Sequence, residues 1–410
     1  MSPLVLYDDA CARRFEPFAL TRPVSELRAG TTVIRQRWEN AFLLKAVSAI
    51  AAPHLADFEE LDAPPAASGT LAAGTIVANA RCVPALGSFD DDGRDAGVAV
   101  WQCDGRVAAV RLTAAVEATE FAEGTLSLET LASRGASVDI RGWWLEEVWD
   151  LIRLLTPQLI DDIERLRPGS RRYAAPSGDV PVLGSHPVLI ESGATVEPYV
   201  VFDASAGPVL IESGATVQSF TRVVGPCYVG PGSSVLGDRV ANCSIGDVCR
   251  VRGEISSTIV LGHSNKAHGG FVGHSYLGRW VNLGAGTITS NLKNTYGTVA
   301  LWTTDGIRDT GLQFLGALVG DHAKTGIGVR LTTGTVVGAA ANVYGSTMPP
   351  KYVPPFAWGD GEPYDTYAFD KFVTVAERAM ARRHVPLGPR TRRQLAAAYA
   401  RCGRGAGVPA

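Results

Sequence analysis

Three histidines (His263, His268 and His274), three asparagines (Asn265, Asn282 and Asn291) and Lys266 crowd one stretch of this 410-residue chain. An imidazole titrates at about 6.5, which suits it to take a proton from an amine or hydroxyl near neutral pH. His268 stands fourteen residues before Asn282. A second set of candidates lies near the N-terminus. Lys45 is the only lysine in the first 180 residues, so any phosphate charge there must be met by Arg13, Arg22 or Arg28. Guanidinium groups do this through paired N–H donors.

The residues around the histidines impose a period of six. Ile211, Val217, Val223, Val229 and Val235 are evenly spaced, as are Val319, Thr325, Leu331, Val337 and Val343. The decapeptide Pro187–Val196 recurs letter for letter at Pro208–Val217, an offset of 21, or three hexads plus three residues. Six is the period of neither a helix nor an ordinary strand. It predicts a β-solenoid with every sixth residue pointing inward and Gly, Asn or Asp at the corners. A sandwich of antiparallel strands would not hold a hexad phase so long. The rhythm lapses between about Asn294 and Gln313, which predicts a loop leaving the coil.

Upstream, the chain reads as α/β. Strands are expected at Leu4–Tyr7, Thr75–Ala78 and Gly97–Trp101, a helix over Thr32–Ala51, and a long amphipathic helix over Gly142–Arg167 that stops at Pro168-Gly169-Ser170. The expected domains are 1–168, a linker at 169–186, the solenoid at 187–347, and a Pro-rich extension with a basic helical tail at 348–410. In that tail Lys371, Arg378, Arg382, Arg383, Arg390, Arg392, Arg393, Arg401 and Arg404 face one acidic residue, Glu377. They serve either as a solvated helical face or to meet a phosphate group.

With 46% hydrophobic and 19% charged residues the chain is globular, and a net charge of −3 gives no global pull toward nucleic acid or anionic membrane. Seven cysteines without CxxC spacing imply buried thiols in a reducing compartment. The N-terminus has no signal-like basic region and no 18-residue apolar run occurs, so the expectation is a cytoplasmic protein that neither spans nor binds membrane.

The string Tyr276-Leu-Gly…Val281-Asn-Leu-Gly-Ala-Gly-Thr-Ile-Thr289…Asn291 closely resembles the left-handed β-helix half of bifunctional N-acetylglucosamine-1-phosphate uridylyltransferase/glucosamine-1-phosphate N-acetyltransferases. The resemblance extends from about residue 190 to 345. It implies a left-handed parallel β-helix, a homotrimer with sites between neighbouring solenoids, and acetyl-CoA as co-substrate. It places the catalytic base on His268, its orienting carboxylate on Glu254, and the acceptor-contacting asparagine on Asn291. Asn282 would also hold the acceptor, and Ala285 with Gly286 would meet the acyl-CoA. Three positions depart from the family pattern. Ser256 replaces a sugar-phosphate-binding Lys, Phe271 replaces a Tyr in the substrate site, and Asp238 stands at a phosphate-binding Arg position. Lys266 or Arg252 would then supply the missing positive charge. His263-x4-His268 also has the spacing of two zinc ligands in γ-class carbonic anhydrase-like proteins. The third would fall near Tyr228, which is not a histidine.

The N-terminal stretch Leu20-Thr-Arg22-Pro-Val-Ser-Glu26-Leu-Arg28-Ala-Gly30, with Val77-Ala-Asn79-Ala-Arg81 and Trp149-Asp150, resembles a short sugar nucleotidyltransferase domain over roughly residues 3–155. This implies a nucleoside triphosphate and a sugar phosphate as substrates. Arg13, Arg22, Glu26, Arg28, Asn79 and Arg81 would contact nucleotide, and Asp150 would hold Mg²⁺. No glycine lies between Tyr7 and Pro17, so the usual phosphate-cradling loop is missing. Asn79 stands where the family has a metal-binding Asp. Together the two halves predict a UDP-N-acetylglucosamine-type product. Two other readings stay open: a nucleotidyltransferase with a non-catalytic trimerising solenoid, and a sugar-nucleotide-binding scaffold.

Overall fold

The computed structural model describes residues 2–87, 89, 97–132, 135–166 and 173–403. It divides into two units: Met1–Asp150 with Gly388–Val408, and Leu151–Leu387. Among the described residues no helix is long and apolar enough to cross a membrane. All seven cysteines are free, and Cys82, Cys103, Cys227, Cys243 and Cys249 are buried.

In the first unit the apolar run Leu4–Tyr7 is a fully buried strand flanked by two parallel neighbours, Ala46–Ile50 and Ile76–Asn79. The sheet continues through the hairpin of Val98–Cys103 and Arg106–Arg111 to Ala136–Asp139. The helix expected over Thr32–Ala51 covers only Ile34–Phe42. It ends at Leu43, which takes a left-handed φ of 54°, and the following residues form the strand Ala46–Ile50. The long helix expected from Gly142 is also shorter. Gly142–Trp144 pairs antiparallel with Cys82–Pro84, because Trp144 finds a hydrogen-bond acceptor in the Cys103 carbonyl and buries its ring there. Helices follow only at Asp150–Arg153 and Leu155–Glu164, and Pro168-Gly169-Ser170 lies outside the described residues. The helix Pro389–Gly403 groups with this unit, so the expected 348–410 tail is divided. Arg393 pairs with Asp57 at 2.8 Å, and the Gln394 amide donates to the Thr21 carbonyl at 3.2 Å.

In the second unit three parallel ladders wrap a solenoid. The first face contains Val209–Ile211, Cys227–Val229, Ser244–Asp247, Ile259–Gly262, Tyr276–Arg279 and Ala317–Val319. The second contains Thr221–Val224, Asp238–Ala241, Glu254–Ser256 and Phe271–Gly273, and the third Asn265–Lys266, Asn282–Leu283 and Lys324–Thr325. The repeated decapeptide stacks on itself in register, Val188 on Val209 and Val196 on Val217. Val217, Val223, Val229, Val235, Val319 and Val337 are all fully buried, as the hexad phase requires. Each contributes about 1.5–3 kcal/mol of apolar burial. The lapse in rhythm is a hairpin, Ala300–Thr303 with Gly306–Asp309. Tyr352–Val353 and Ala357–Gly359 extend the ladders beyond the expected boundary at 347. The helix Phe369–Ala381 follows.

Coils stack closely enough to exclude a side chain even within a strand such as Ser244–Asp247. A Cβ on Gly246 would lie 2.1 Å from the Leu261 carbonyl oxygen. Gly246→Ala is therefore expected to cost about 1–3 kcal/mol, measured as a lower denaturation midpoint. An unchanged midpoint would mean that the adjoining coil yields freely.

Candidate functional site

Successive coils bring most of the solenoid candidates to one edge, where the third face turns into the second. His268 lies in the bend just after the strand Asn265–Lys266, and it is exposed. Ala285 and Gly286 occupy the equivalent turn one coil on, and the Gly286 amide donates to the Gly269 carbonyl at 3.1 Å. Gly286 has φ 71°, which an L side chain rarely adopts. Arg252 occupies the same edge one coil earlier, half exposed, with its Nε 3.3 Å from an Asp238 oxygen.

Glu254 and Phe271 are direct register partners on the second face. The Glu254 carboxylate meets Arg239 at 3.5 Å rather than the His268 ring. Both groups of that pair are about half exposed, so it contributes only about 0–1 kcal/mol and exchanges readily. Among the described residues the chain gives the His268 ring no hydrogen-bond partner of its own.

Asn291 sits where the second-face ladder breaks off after Phe271–Gly273. Its amide nitrogen lies 2.8 Å from His274 Nδ1. The ring nitrogen therefore accepts, which leaves the His274 proton on Nε2. Burial lowers the His274 pKa and keeps the ring neutral, and it stacks on Phe314 at 5.2 Å.

One solenoid expectation, and the rival zinc spacing, meet geometry that works against them. Lys266 is 1% exposed, and its ammonium donates to the carbonyls of His268 and Gly269. It braces the corner beneath His268 and does not stand free to meet a phosphate. His263 and His268 flank a two-residue strand and lie at different edges. The His263 ring packs on Trp280 at 4.5 Å, with Nδ1 accepting from Arg279 at 2.9 Å. No described group of three His, Cys, Asp or Glu residues could hold a metal ion.

In the first unit, candidates converge at the carboxyl ends of Leu4–Tyr7 and Ile76–Asn79, the usual position for a ligand on such a sheet. Most are already committed to partners within the unit. The Asp9 carboxylate accepts from Arg81 Nη2 at 2.7 Å and from Asn79 Nδ2 at 2.9 Å, and Arg81 also donates to the Leu145 carbonyl. Burial pushes Asp9 up, but the Arg81 and Asn79 hydrogen bonds prevail and hold it below the usual carboxylate range. Arg13 donates to the carbonyls of Asp8, Phe121 and Ala122. Arg22 pairs with Glu60 at 2.6 Å, Arg28 donates to the Thr31 carbonyl, and Glu26 accepts from Arg35 at 2.6 Å. An oxygen of Asp150 accepts from the Glu146 and Glu147 amides at 2.8 and 3.0 Å. With Asp9 engaged by Arg81 and Asn79 and Asp150 by two backbone amides, these residues do not fit a two-carboxylate Mg²⁺ site.

Asp8 is buried, and desolvation raises its pKa to about 7 despite the Val24 amide and Arg13. Between pH 4 and 7 the folded chain holds this proton while the unfolded chain releases it, so stability falls as pH rises across that window. Asp8→Asn is expected to flatten that decline in denaturant midpoints. An unaltered slope would assign it to another group.

Of the aromatic corners on the opposite solenoid edge, the sequence singled out only His263. His263, Trp280 and His322 stack there with φ of 53°, 64° and 60°. Their only local signal is one bulky residue per coil at the same corner.

Residues 4–171 match the model of the sugar nucleotidyl transferase family. The chain is 33% identical over 91 residues to a bifunctional sugar-1-phosphate nucleotidylyltransferase/acetyltransferase of Sulfurisphaera tokodaii, covering 22% of this chain and 23% of that one. It is 30% identical over 162 residues to the bifunctional protein GlmU of Acaryochloris marina, covering 39% and 31%. The chain thus spans under a third of the length of these curated relatives. A hexapeptide transferase family protein of Anaplasma phagocytophilum overlaps 54% of this chain and 96% of its own at 15% identity, with a TM-score of 0.22. The solenoid is assigned from the chain's own strand pairing.

Proposed function

We propose that the chain is a bifunctional sugar-nucleotide transferase, assembled as a cytoplasmic homotrimer. In this reading the solenoid transfers an acetyl group from acetyl-CoA to an amino-sugar phosphate. The first unit then joins a sugar-1-phosphate to a nucleoside triphosphate, giving a UDP-N-acetylglucosamine-type product. The observation that carries it is the exposed His268 ring on the solenoid edge shared by Arg252 and the Ala285–Gly286 turn.

The steps balance without further reagents. The sugar amine attacks the thioester carbonyl, His268 takes the amine proton, and the C–S bond breaks to release the thiol of CoA. In the second reaction the sugar-phosphate oxygen attacks the α-phosphorus of the triphosphate and pyrophosphate leaves. Glu254 would orient His268 across the seam of two copies, since within one copy it faces Arg239. Asn291 and Asn282 would hold the acceptor, and Phe271 would line it without the hydroxyl of a tyrosine.

Isothermal titration of the full chain with acetyl-CoA and with UTP tests the proposal. Saturable binding of both is expected. UTP binding alone would favour a solenoid that only assembles the trimer, and binding of neither would favour a scaffold.

A further inference from the structure

The second unit holds another built cavity, away from the His268 edge. It has a volume of about 300 Å³ and lies between the third solenoid face and the helix Phe369–Ala381. Its wall on the solenoid side carries His263, Trp280, Asn282 and Lys324. Its helix side carries Arg378, Arg382 and Arg383. No carboxylate lines it.

This arrangement is unfavourable as it stands. Arg378 and Arg382 are one helical turn apart, and like charges at that spacing repel. Arg383 Nε is buried without a hydrogen-bond partner, and burial together with Arg250 and Arg382 lowers the Arg383 pKa. Burial alone lowers Lys324 to about 8, and its ammonium reaches only the His322 carbonyl, at 3.5 Å. Among the described residues none of these four cations forms an ion pair. The helix dipole favours cations in a last turn, but Lys324 lies on the solenoid and gains nothing from it.

We propose that this cavity binds a phosphate-bearing small molecule whose charge the four cations share. A phosphate or pyrophosphate group offers acceptors to Lys324 and Arg383 together, and guanidinium and ammonium donors are suited to both. Asn282, assigned above to the acceptor of acyl transfer, also lines this cavity, whereas His268 does not.

The test is calorimetric titration of the full chain with inorganic pyrophosphate, glucosamine-1-phosphate and UTP at fixed ionic strength. Wild type is compared with a Lys324→Gln/Arg383→Gln double variant and with His268→Ala. At least one probe should bind at least tenfold more weakly to the double variant and equally to His268→Ala. The probe that loses most identifies the source of the phosphate. Ligand-free melting of the double variant should stay level or rise, because removing repelling cations relieves the fold. Equal binding of all probes to wild type and double variant would overturn the proposal. Should the double variant fail to fold, the exposed Arg382→Gln decides: weaker binding by threefold or more supports the site, and unchanged binding overturns it.

Discussion

Alanine at position 268 is expected to slow acyl transfer by about 10²–10⁴-fold, the usual contribution of a positioned general base. The thermal midpoint should hardly move. The residue is exposed at a corner, and surface substitutions of this kind fall within about ±0.5 kcal/mol. The measurement is thiol release from acetyl-CoA over a panel of amino-sugar phosphates, with pyrophosphate release followed in parallel. Loss of the first signal alone separates the two activities. If His268→Ala retained wild-type thiol release, the ring would be a surface residue and the base would have to be sought elsewhere. Glu254→Gln should lower the rate less, and only in assemblies in which a second copy completes the edge.

The second large effect is structural. Arg35→Ala is expected to destabilise the first unit by about 3–5 kcal/mol, because it leaves buried carboxylates without their cation. The Arg35 side chain is 2% exposed and meets Glu26 at 2.6 Å, Glu39 at 3.0 Å and Asp62 at 3.0 Å. Burial already raises the Glu26 pKa, and Arg35 is what opposes the shift. Chemical denaturation would show a lowered first transition. This result would make Glu26 part of the unit's scaffold. A variant of wild-type stability that had lost nucleotide binding would instead return Glu26 to the nucleotide site.

The arginines of the first unit show why residue type alone misleads. Arg81 and Asp9 are separated by 72 positions, and Arg13 lies 108 and 109 positions from two of the three carbonyls it binds. No local pattern announces such partners, so a guanidinium available for phosphate reads the same as one spent on the fold. Lys266 is similar. Its place in the hexad was legible, but not the inward turn of its ammonium toward the carbonyls of its own corner. The strand at Ala46–Ile50 was hidden for another reason. Val47 continues the apolar spacing of the preceding helix, and only the parallel neighbour Leu4–Tyr7 makes the extended form worthwhile.

By itself the sequence determined the solenoid, its inward residues and the successive coils on which His268, Ala285 and Asn291 lie. A repeat of six sets side-chain direction locally, and identical coils can only stack in phase. Tertiary structure alone decided which charges remain free. It paired Asp9 with Arg81 and Asn291 with His274, and it gathered Lys324 with three arginines from a distant helix. Such choices depend on distance and burial between segments far apart in the chain, and the order of residues does not encode either one directly.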